Sequence, residues 1–149
     1  QRQMCIRDRC MVGPEKDGSL AETKKYAEEL GLAVNFPGRL SKKDWVKLSE
    51  NYDIFLNTTH FDNTPVSVIE AMALGFPVIT TNVGGIPFLV EDKKTAILVN
   101  DGDEKKMTEE IRLLLNNSHF ANSLSQNSRD LAEKFDWNDI KSSWAKILN

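Results

Sequence analysis

The chain has 149 residues, of which 40% are hydrophobic and 28% are charged, and its formal net charge at pH 7 is −3. These values predict one globular domain and exclude collagen-like, intrinsically disordered and generally basic nucleic-acid-binding proteins. The sequence contains no bilayer-spanning run, no secretory signal and too few cysteines for a disulfide scaffold, which predicts a cytoplasmic protein.

The first nine residues (QRQMCIRDR) show neither strand alternation nor a helical stripe. The run 4–8 resembles the conceptual translation of a sequencing-library adapter, so we expect residues 1–9 to be a cloning or assembly artefact. The alternative is an irregular N-terminal arm that belongs to the protein. We expect residues 10–149 to be one domain and the natural protein to begin further upstream.

Short apolar strands alternate with helices along the rest of the chain. The pattern predicts, in chain order, a strand at 10–13, a helix at 19–30, a strand at 32–36, a helix at 42–51, a strand at 53–57, a helix at 65–74, a strand at 77–80, a helical turn from 84, a strand at 96–99, and helices at 104–116, 120–134 and 137–148. Such alternation is typical of an α/β, Rossmann-like fold, in which helices cover both faces of a parallel sheet. The last two helices have no strand between them, so we expect them to pack outside the sheet or against a neighbouring part of the protein.

Ligands of an open parallel sheet bind beyond the carboxyl ends of its strands, which here points to the loops 13–19, 58–64 and 81–85. In the second of these loops, Pro65 fixes the first helical residue and leaves the amides of Val66 and Ser67 without intrahelical partners. Those donors and the helix dipole predict a phosphate-sized anion site, to which the Thr64 hydroxyl could add. The alternative is that Asn63 or Thr64 simply caps the helix.

Glu70 lies one turn further along the same predicted helix. We expect the core face to contain residues 68, 69, 72 and 73, which places Glu70 at its border. A carboxylate in that position needs a partner, because desolvating it alone costs several kcal/mol. A ribose diol, with two hydroxyl donors, is one suitable partner. A solvated or salt-bridged helix face is the alternative.

The segment 62–79 (DNTPVSVIEAMALGFPVI) resembles the donor-site signature of family four retaining glycosyltransferases. The blocks 80–87, 95–99 and 101–103 continue that pattern, and 12–13, 34–38 and 52–56 fall where the family has similar blocks, so the resemblance covers residues 10–149. It implies a GT-B fold of two Rossmann-like domains. This chain would be the C-terminal domain, which holds the nucleotide sugar.

The resemblance also implies roles for individual residues. Asp62 stands where the family usually has Glu and would face the donor sugar near its anomeric centre, and Glu70 would bind the ribose hydroxyls. Backbone amides between them would approach the diphosphate, and the loop around Gly38 and Arg39 would border the base. The candidate substrate-binding residues are therefore Gly13, Gly38, Arg39, Asn63, Thr64, Val66, Ser67 and Glu70, with Asp62 as the candidate catalytic residue.

The resemblance implies a nucleotide-sugar donor, no cofactor, no metal and no nucleic-acid partner. A glycan or lipid-linked acceptor would bind to an N-terminal domain, and an Arg/Lys pair that assists catalysis would precede this chain. This fragment would therefore be inactive alone, and the full-length protein could associate peripherally with the cytoplasmic face of the inner membrane. Asp101 and Asp103 match a metal-binding spacing, but Asp103 also stands where a helix cap is expected.

Two other functions fit the same residues. One is a GT-B nucleotide-sugar epimerase. The other is a sugar-nucleotide-binding or interaction module that has lost its chemistry, which the Asp at position 62 in place of Glu would favour.

Overall fold

The computed structural model describes residues 8–148, except for the side chains of Asp139, Ser142 and Ser143. Residues 1–7, which make up most of the predicted artefact, lie outside this range. The chain divides between Tyr52 and Asp53 into two compact units, referred to below as the N-terminal and C-terminal units.

Five strands and seven helices account for most of the described residues. The strands are β1 (Arg9–Val12), β2 (Val34–Gly38), β3 (Phe55–Asn57), β4 (Val78–Thr81) and β5 (Ile97–Val99). The helices are α1 (Ser19–Glu29), α2 (Lys42–Ser49), α3 (Val66–Ala73), α4 (Ile86–Leu89), α5 (Glu104–Asn116), α6 (Ser118–Glu133) and α7 (Trp137–Leu148). Within residues 8–148, no helix combines the length and the apolarity needed to cross a membrane.

In the N-terminal unit, β1 and β2 form a parallel pair. The strand β1 begins at Arg9, inside the segment that we expected to set aside. The strand β2 runs two residues beyond its predicted end because Gly38 pairs with Val12, and the Gly38 carbonyl accepts a hydrogen bond of 3.1 Å from the Gly13 amide. This bond joins the loop that follows β1 to the last residue of β2.

In the C-terminal unit, three parallel strands form a sheet in the order β3-β4-β5. All four residues of the central strand β4 are buried. Successive side chains of a strand point to opposite faces, so both faces of the sheet are covered at β4. The predicted α/β fold with parallel strands and flanking helices is confirmed, although the described strands form two separate sheets rather than one.

Helix α3 packs against α6 and against the sheet. Two serines of α6 bind the chain just after α3: the Ser125 hydroxyl donates to the Gly75 carbonyl at 2.5 Å, and the Ser128 hydroxyl to the Phe76 carbonyl at 3.3 Å. The buried face of α3 contains Val68, Ala71 and Met72.

The buried face of α3 differs from the predicted one, since Ala73 is exposed and Ile69 is half-buried. The reason is that α3 turns its face toward α6 as well as toward the sheet. At about 100° per residue, Glu70 lies about 200° from Val68, and its side chain is half-buried. Its expected position at the border of the core stays a prediction.

Candidate functional site

The start of α3 has amide donors without partners. Pro65 is the N-terminal cap, has extended backbone (ψ 103°), and its carbonyl accepts from the amides of Val68 at 3.0 Å and Ile69 at 3.3 Å. Among residues 8–148, no group accepts a hydrogen bond from the amide of Val66 or Ser67, and no side chain caps the helix. The alternative in which Asn63 or Thr64 caps this helix is therefore wrong, and two amides at the positive end of the dipole stay available to an anion.

The loop that leads into α3 (residues 58–65, called the α3 loop below) contains a carboxylate whose direction is fixed by its own backbone. Asp62 is half-buried, and its Oδ1 accepts a hydrogen bond of 3.0 Å from the Thr64 amide. An Asx turn of this kind fixes the direction of the carboxylate relative to the backbone. Asp62 is thus held at the start of α3 by its own loop.

Gly84 and Gly85 pack directly against the α3 loop. The Gly85 amide donates to the Asp62 carbonyl at 2.9 Å. A Cβ atom at Gly84 would collide with the Asp62 carbonyl, and one at Gly85 would collide with the Asn63 carbonyl. These two positions therefore require glycine for steric reasons, whereas the sequence analysis read them as the start of a short helix.

Glu70 is half-buried in the second turn of α3, one turn beyond the exposed Val66. Six predicted site residues lie in the α3 loop and in the first two turns of α3, namely Asp62, Asn63, Thr64, Val66, Ser67 and Glu70.

The corresponding loop of the N-terminal unit, residues 13–19, has a different electrostatic character. Glu15 accepts hydrogen bonds from the amides of Gly18 at 2.7 Å and Leu20 at 3.1 Å, and Asp17 Oδ1 accepts from the Ser19 amide at 3.1 Å. The hydrogen bonds with Ser19 hold the pKa of Asp17 below its ordinary value of 3.8. Two carboxylates thus accept hydrogen bonds from the amides at the start of α1, and they supply the negative charge that the helix dipole favours there.

The other three predicted site residues lie in the N-terminal unit. Gly13 and Gly38 are brought together by the hydrogen bond described above, and Gly38 has a positive φ of 73°, which favours glycine. Arg39 follows Gly38 directly and is exposed. Their roles toward a nucleotide base stay predictions.

The two aspartates with metal-like spacing have other partners. Asp103 caps α5, since its Oδ1 accepts from the Lys106 amide at 2.8 Å, as the helix-cap interpretation predicted. Asp101 Oδ1 lies 2.8 Å from Nδ1 of His60 in the α3 loop. In the described part of the chain, no group of three or more His, Cys, Asp or Glu side chains is arranged to hold a metal ion.

The C-terminal unit also contains an open cavity of about 630 Å³. It lies between α4, the segment before β5 and the second half of α6, with Phe88, Lys94 and Asp130 in its wall. None of the nine predicted site residues lines it. The cavity and the start of α3 are therefore different features of this unit.

Residues 9–131 match the sequence profile of the family described as "Glycosyl transferases group 1". The chain belongs to this family. The sulfoquinovosyl transferase SQD2 of Arabidopsis thaliana is 28% identical over 132 residues, which cover 83% of this chain and 25% of that protein. The capsular polysaccharide biosynthesis glycosyltransferase CapM of Staphylococcus aureus is 33% identical over 110 residues, which cover 70% of this chain and 29% of that protein.

Solved structures of glycosyltransferases share the fold of this group 1 glycosyltransferase chain. The crystal structure of HepE from Anabaena in complex with UDP matches with a TM-score of 0.85 and 25% identity, over 93% of this chain and 40% of that one. The chain thus has the Rossmann-like fold of the C-terminal domain of GT-B glycosyltransferases. It spans between 25% and 40% of the lengths of these relatives.

Proposed function

We propose that this chain is the donor-binding part of a retaining glycosyltransferase that takes a hexose from a nucleoside diphosphate sugar. The observation that carries the proposal is the start of α3, where the amides of Val66 and Ser67 have no acceptor among the described residues and the preceding loop fixes the direction of the Asp62 carboxylate. Family membership supports the reaction type. The complex of HepE with UDP, in a protein of the same fold, supports the class of donor.

Each residue of the site has a role in this proposal. The amides of Val66 and Ser67 bind the diphosphate, Glu70 accepts hydrogen bonds from the ribose hydroxyls, and Asp62 faces the sugar. When the bond between the anomeric carbon and the phosphate oxygen breaks, its electron pair stays on that oxygen. Preorganised amides at a helix start stabilise this developing charge, which is a large catalytic term in many enzymes.

The acceptor substrate would bind to the full-length protein, through its N-terminal domain. We propose a growing surface glycan or a lipid-linked sugar, since CapM, the relative with 33% identity, takes part in capsular polysaccharide biosynthesis. Metal-independent binding is part of the proposal, because amides and the helix dipole supply the positive potential that a metal would otherwise provide.

The test is calorimetric titration of the chain with UDP, GDP and ADP in the presence of EDTA, for the wild type and for Glu70→Gln. We expect saturable binding of one nucleotide. Glu70→Gln should weaken it by about 1–3 kcal/mol, the range for losing hydrogen bonds to a charged group. Glu133→Gln, which neutralises an exposed glutamate on α6, is the matched control and should bind as the wild type does.

Binding that is equal in the wild type and Glu70→Gln would remove Glu70 from the ribose role, and loss of binding in EDTA would contradict the metal-independent site. A binding module without chemistry is the second candidate, because the Thr64 amide already occupies one oxygen of Asp62. Sugar transfer by the full-length protein that Asp62→Ala abolishes would exclude this second candidate.

A further inference from the structure

Within the described part of the chain, three long-range hydrogen bonds connect the α3 loop to other segments. Two of them involve its backbone: the Thr81 hydroxyl donates to the Thr59 carbonyl at 2.5 Å, and the Gly85 amide donates to the Asp62 carbonyl at 2.9 Å. Both come from β4 and the segment after it. The third contact joins side chains, with Nδ1 of His60 at 2.8 Å from Oδ1 of Asp101.

The third contact ties the α3 loop to the loop between β5 and α5. Asp101 sits in a tight turn, closed by a hydrogen bond of 3.1 Å from the Asp103 amide to the Asn100 carbonyl. Asp103 in turn caps α5. Asp101 is therefore presented from a well-anchored turn, whereas His60 belongs to a loop without regular structure, two residues before Asp62.

The exposure of the pair indicates what it does. The side chains of His60 and Asp101 are 86% and 41% exposed. Exposed ion pairs contribute little to the free energy of unfolding, and an exposed His60 adds little to a core. Restricting the position of the α3 loop is thus the main physical effect that this contact can have.

We propose that His60 and Asp101 are positioning residues, which hold the α3 loop so that Asp62 and the amides at the start of α3 keep the arrangement that binds a donor nucleotide. This proposal rests on the function proposed above for the α3 site. It adds two residues to that site, one of them from a different strand-to-helix loop. Neither residue need touch the nucleotide.

Two amides report directly on the position of Asp62 without any nucleotide. The Gly85 amide binds the Asp62 carbonyl and the Thr64 amide binds the Asp62 carboxylate. We expect His60→Ala and Asp101→Ala each to raise the hydrogen exchange rates of these amides about two- to fivefold, the range for an exposed pair. The double variant should add nothing to the larger single effect.

Conservative replacements separate positioning from general destabilisation. His60→Asn keeps a donor near the place of Nδ1 and should restore wild-type exchange, whereas His60→Gln puts its amide near the place of Nε2 and should not. Lys94→Ala removes an equally short exposed pair, Lys94–Glu91 at 2.8 Å, away from the α3 loop. It should leave both amides unchanged.

UDP, GDP and ADP titrations of the same variants complete the test. For the nucleotide that the wild type binds, affinity should fall about two- to fivefold in His60→Ala and recover in His60→Asn. Unchanged exchange of Gly85 and Thr64 in His60→Ala, or equal behaviour of the Asn and Gln variants, would overturn the positioning role. A wild type that binds no nucleotide would contradict the proposed function, while the exchange rates would still decide the role of the pair.

Discussion

Helices α1 and α3 each follow a parallel strand and a loop, yet carboxylates accept hydrogen bonds from the first amides of α1 and, among the described residues, not from those of α3. At α1, Glu15 and Asp17 supply carboxylate oxygens to the amides of Gly18, Ser19 and Leu20. At α3, Pro65 is the cap and the first turn contains no acidic residue. The start of α1 is therefore satisfied within the protein, whereas the start of α3 keeps amide donors for a ligand.

The difference shows that a helix start behind a strand is a necessary condition for an anion site but not a sufficient one. Helix dipoles favour negative charge at both starts, and at α1 the protein itself provides that charge. An incoming phosphate at α1 would have to displace two carboxylates, but at α3 it would displace water. Nucleotide binding at α3 therefore requires that its first amides stay without a protein acceptor and that the α3 loop keeps its backbone position.

The largest expected change in stability comes from adding a side-chain atom at Gly85, which packs against the α3 loop. In Gly85→Ala, the new Cβ would collide with the Asn63 carbonyl, so the loop must move. We expect a loss of about 3 kcal/mol or more in the free energy of unfolding, as for severe overpacking, and loss of nucleotide binding. Gly13→Ala, in the loop before α1, has open space for its Cβ and should change unfolding by less than about 0.5 kcal/mol. Equal chemical denaturation of the two variants would contradict the steric argument.

Giving α3 the charge that α1 already has should separate stability from binding. Ser67 is exposed in the first turn of α3, so Ser67→Glu should raise the free energy of unfolding by about 0.3–1 kcal/mol through the dipole. The same change should weaken nucleotide binding by at least about tenfold, because the new carboxylate competes with the phosphate. Ser67→Gln is the neutral control. Thermal unfolding measures the first effect and calorimetry the second. A Ser67→Glu variant that binds the nucleotide as tightly as Ser67→Gln would contradict the anion site at the start of α3.

Removing the charge from α1 is the reverse experiment. Glu15→Ala deletes the acceptor for the amides of Gly18 and Leu20, and we expect a loss of about 1 kcal/mol, as for other helix caps. Nucleotide affinity should stay at the wild-type value. Affinity that increased in this variant would show that α1, once uncovered, competes as an anion site.

Lowering the pH should destabilise the start of α1 through Asp17, and we expect this change to be the smallest of the four. The folded state holds the pKa of Asp17 below its ordinary value of 3.8, so it binds fewer protons there than the unfolded chain. The stabilisation by Asp17 is therefore complete above about pH 4 and is lost as the pH falls through the folded pKa. The protection factor of the Ser19 amide, which compares its exchange rate with that of an unstructured peptide at the same pH, should fall over that range in the wild type. In Asp17→Asn the protection factor of the same amide should stay constant over that range.

The sequence predicted the features that depend on neighbouring residues. The amides of Val66 and Ser67 have no acceptor among the described residues, as the pattern around residue 65 predicted, although Pro65 is the extended cap residue and not the first helical residue as predicted. Asp103 caps α5 as expected. The alternation of strands and helices predicted the α/β fold, with strand ends displaced by one or two residues.

Contacts between distant residues could not be predicted from local patterns. Gly85 contacts the backbone of Asp62 and Asn63, which lie 23 and 22 residues earlier in the chain, and His60 contacts Asp101 across 41 residues. Glu15 caps α1 from three residues before its cap residue Gly18, which rules based on the cap position miss. The buried face of α3 was predicted wrongly because α3 packs against α6 as well as against the sheet, and α6 is distant in sequence.

The most direct test of the central claim is a nuclear magnetic resonance titration of the ¹⁵N-labelled chain with UDP in EDTA, read at the amides of both helix starts. The account predicts saturable shifts at Val66 and Ser67 and none at Ser19 and Leu20, with the α3 shifts lost in Ser67→Glu. Saturable UDP binding that moves the α1 amides, or that leaves Val66 and Ser67 unmoved, would contradict it.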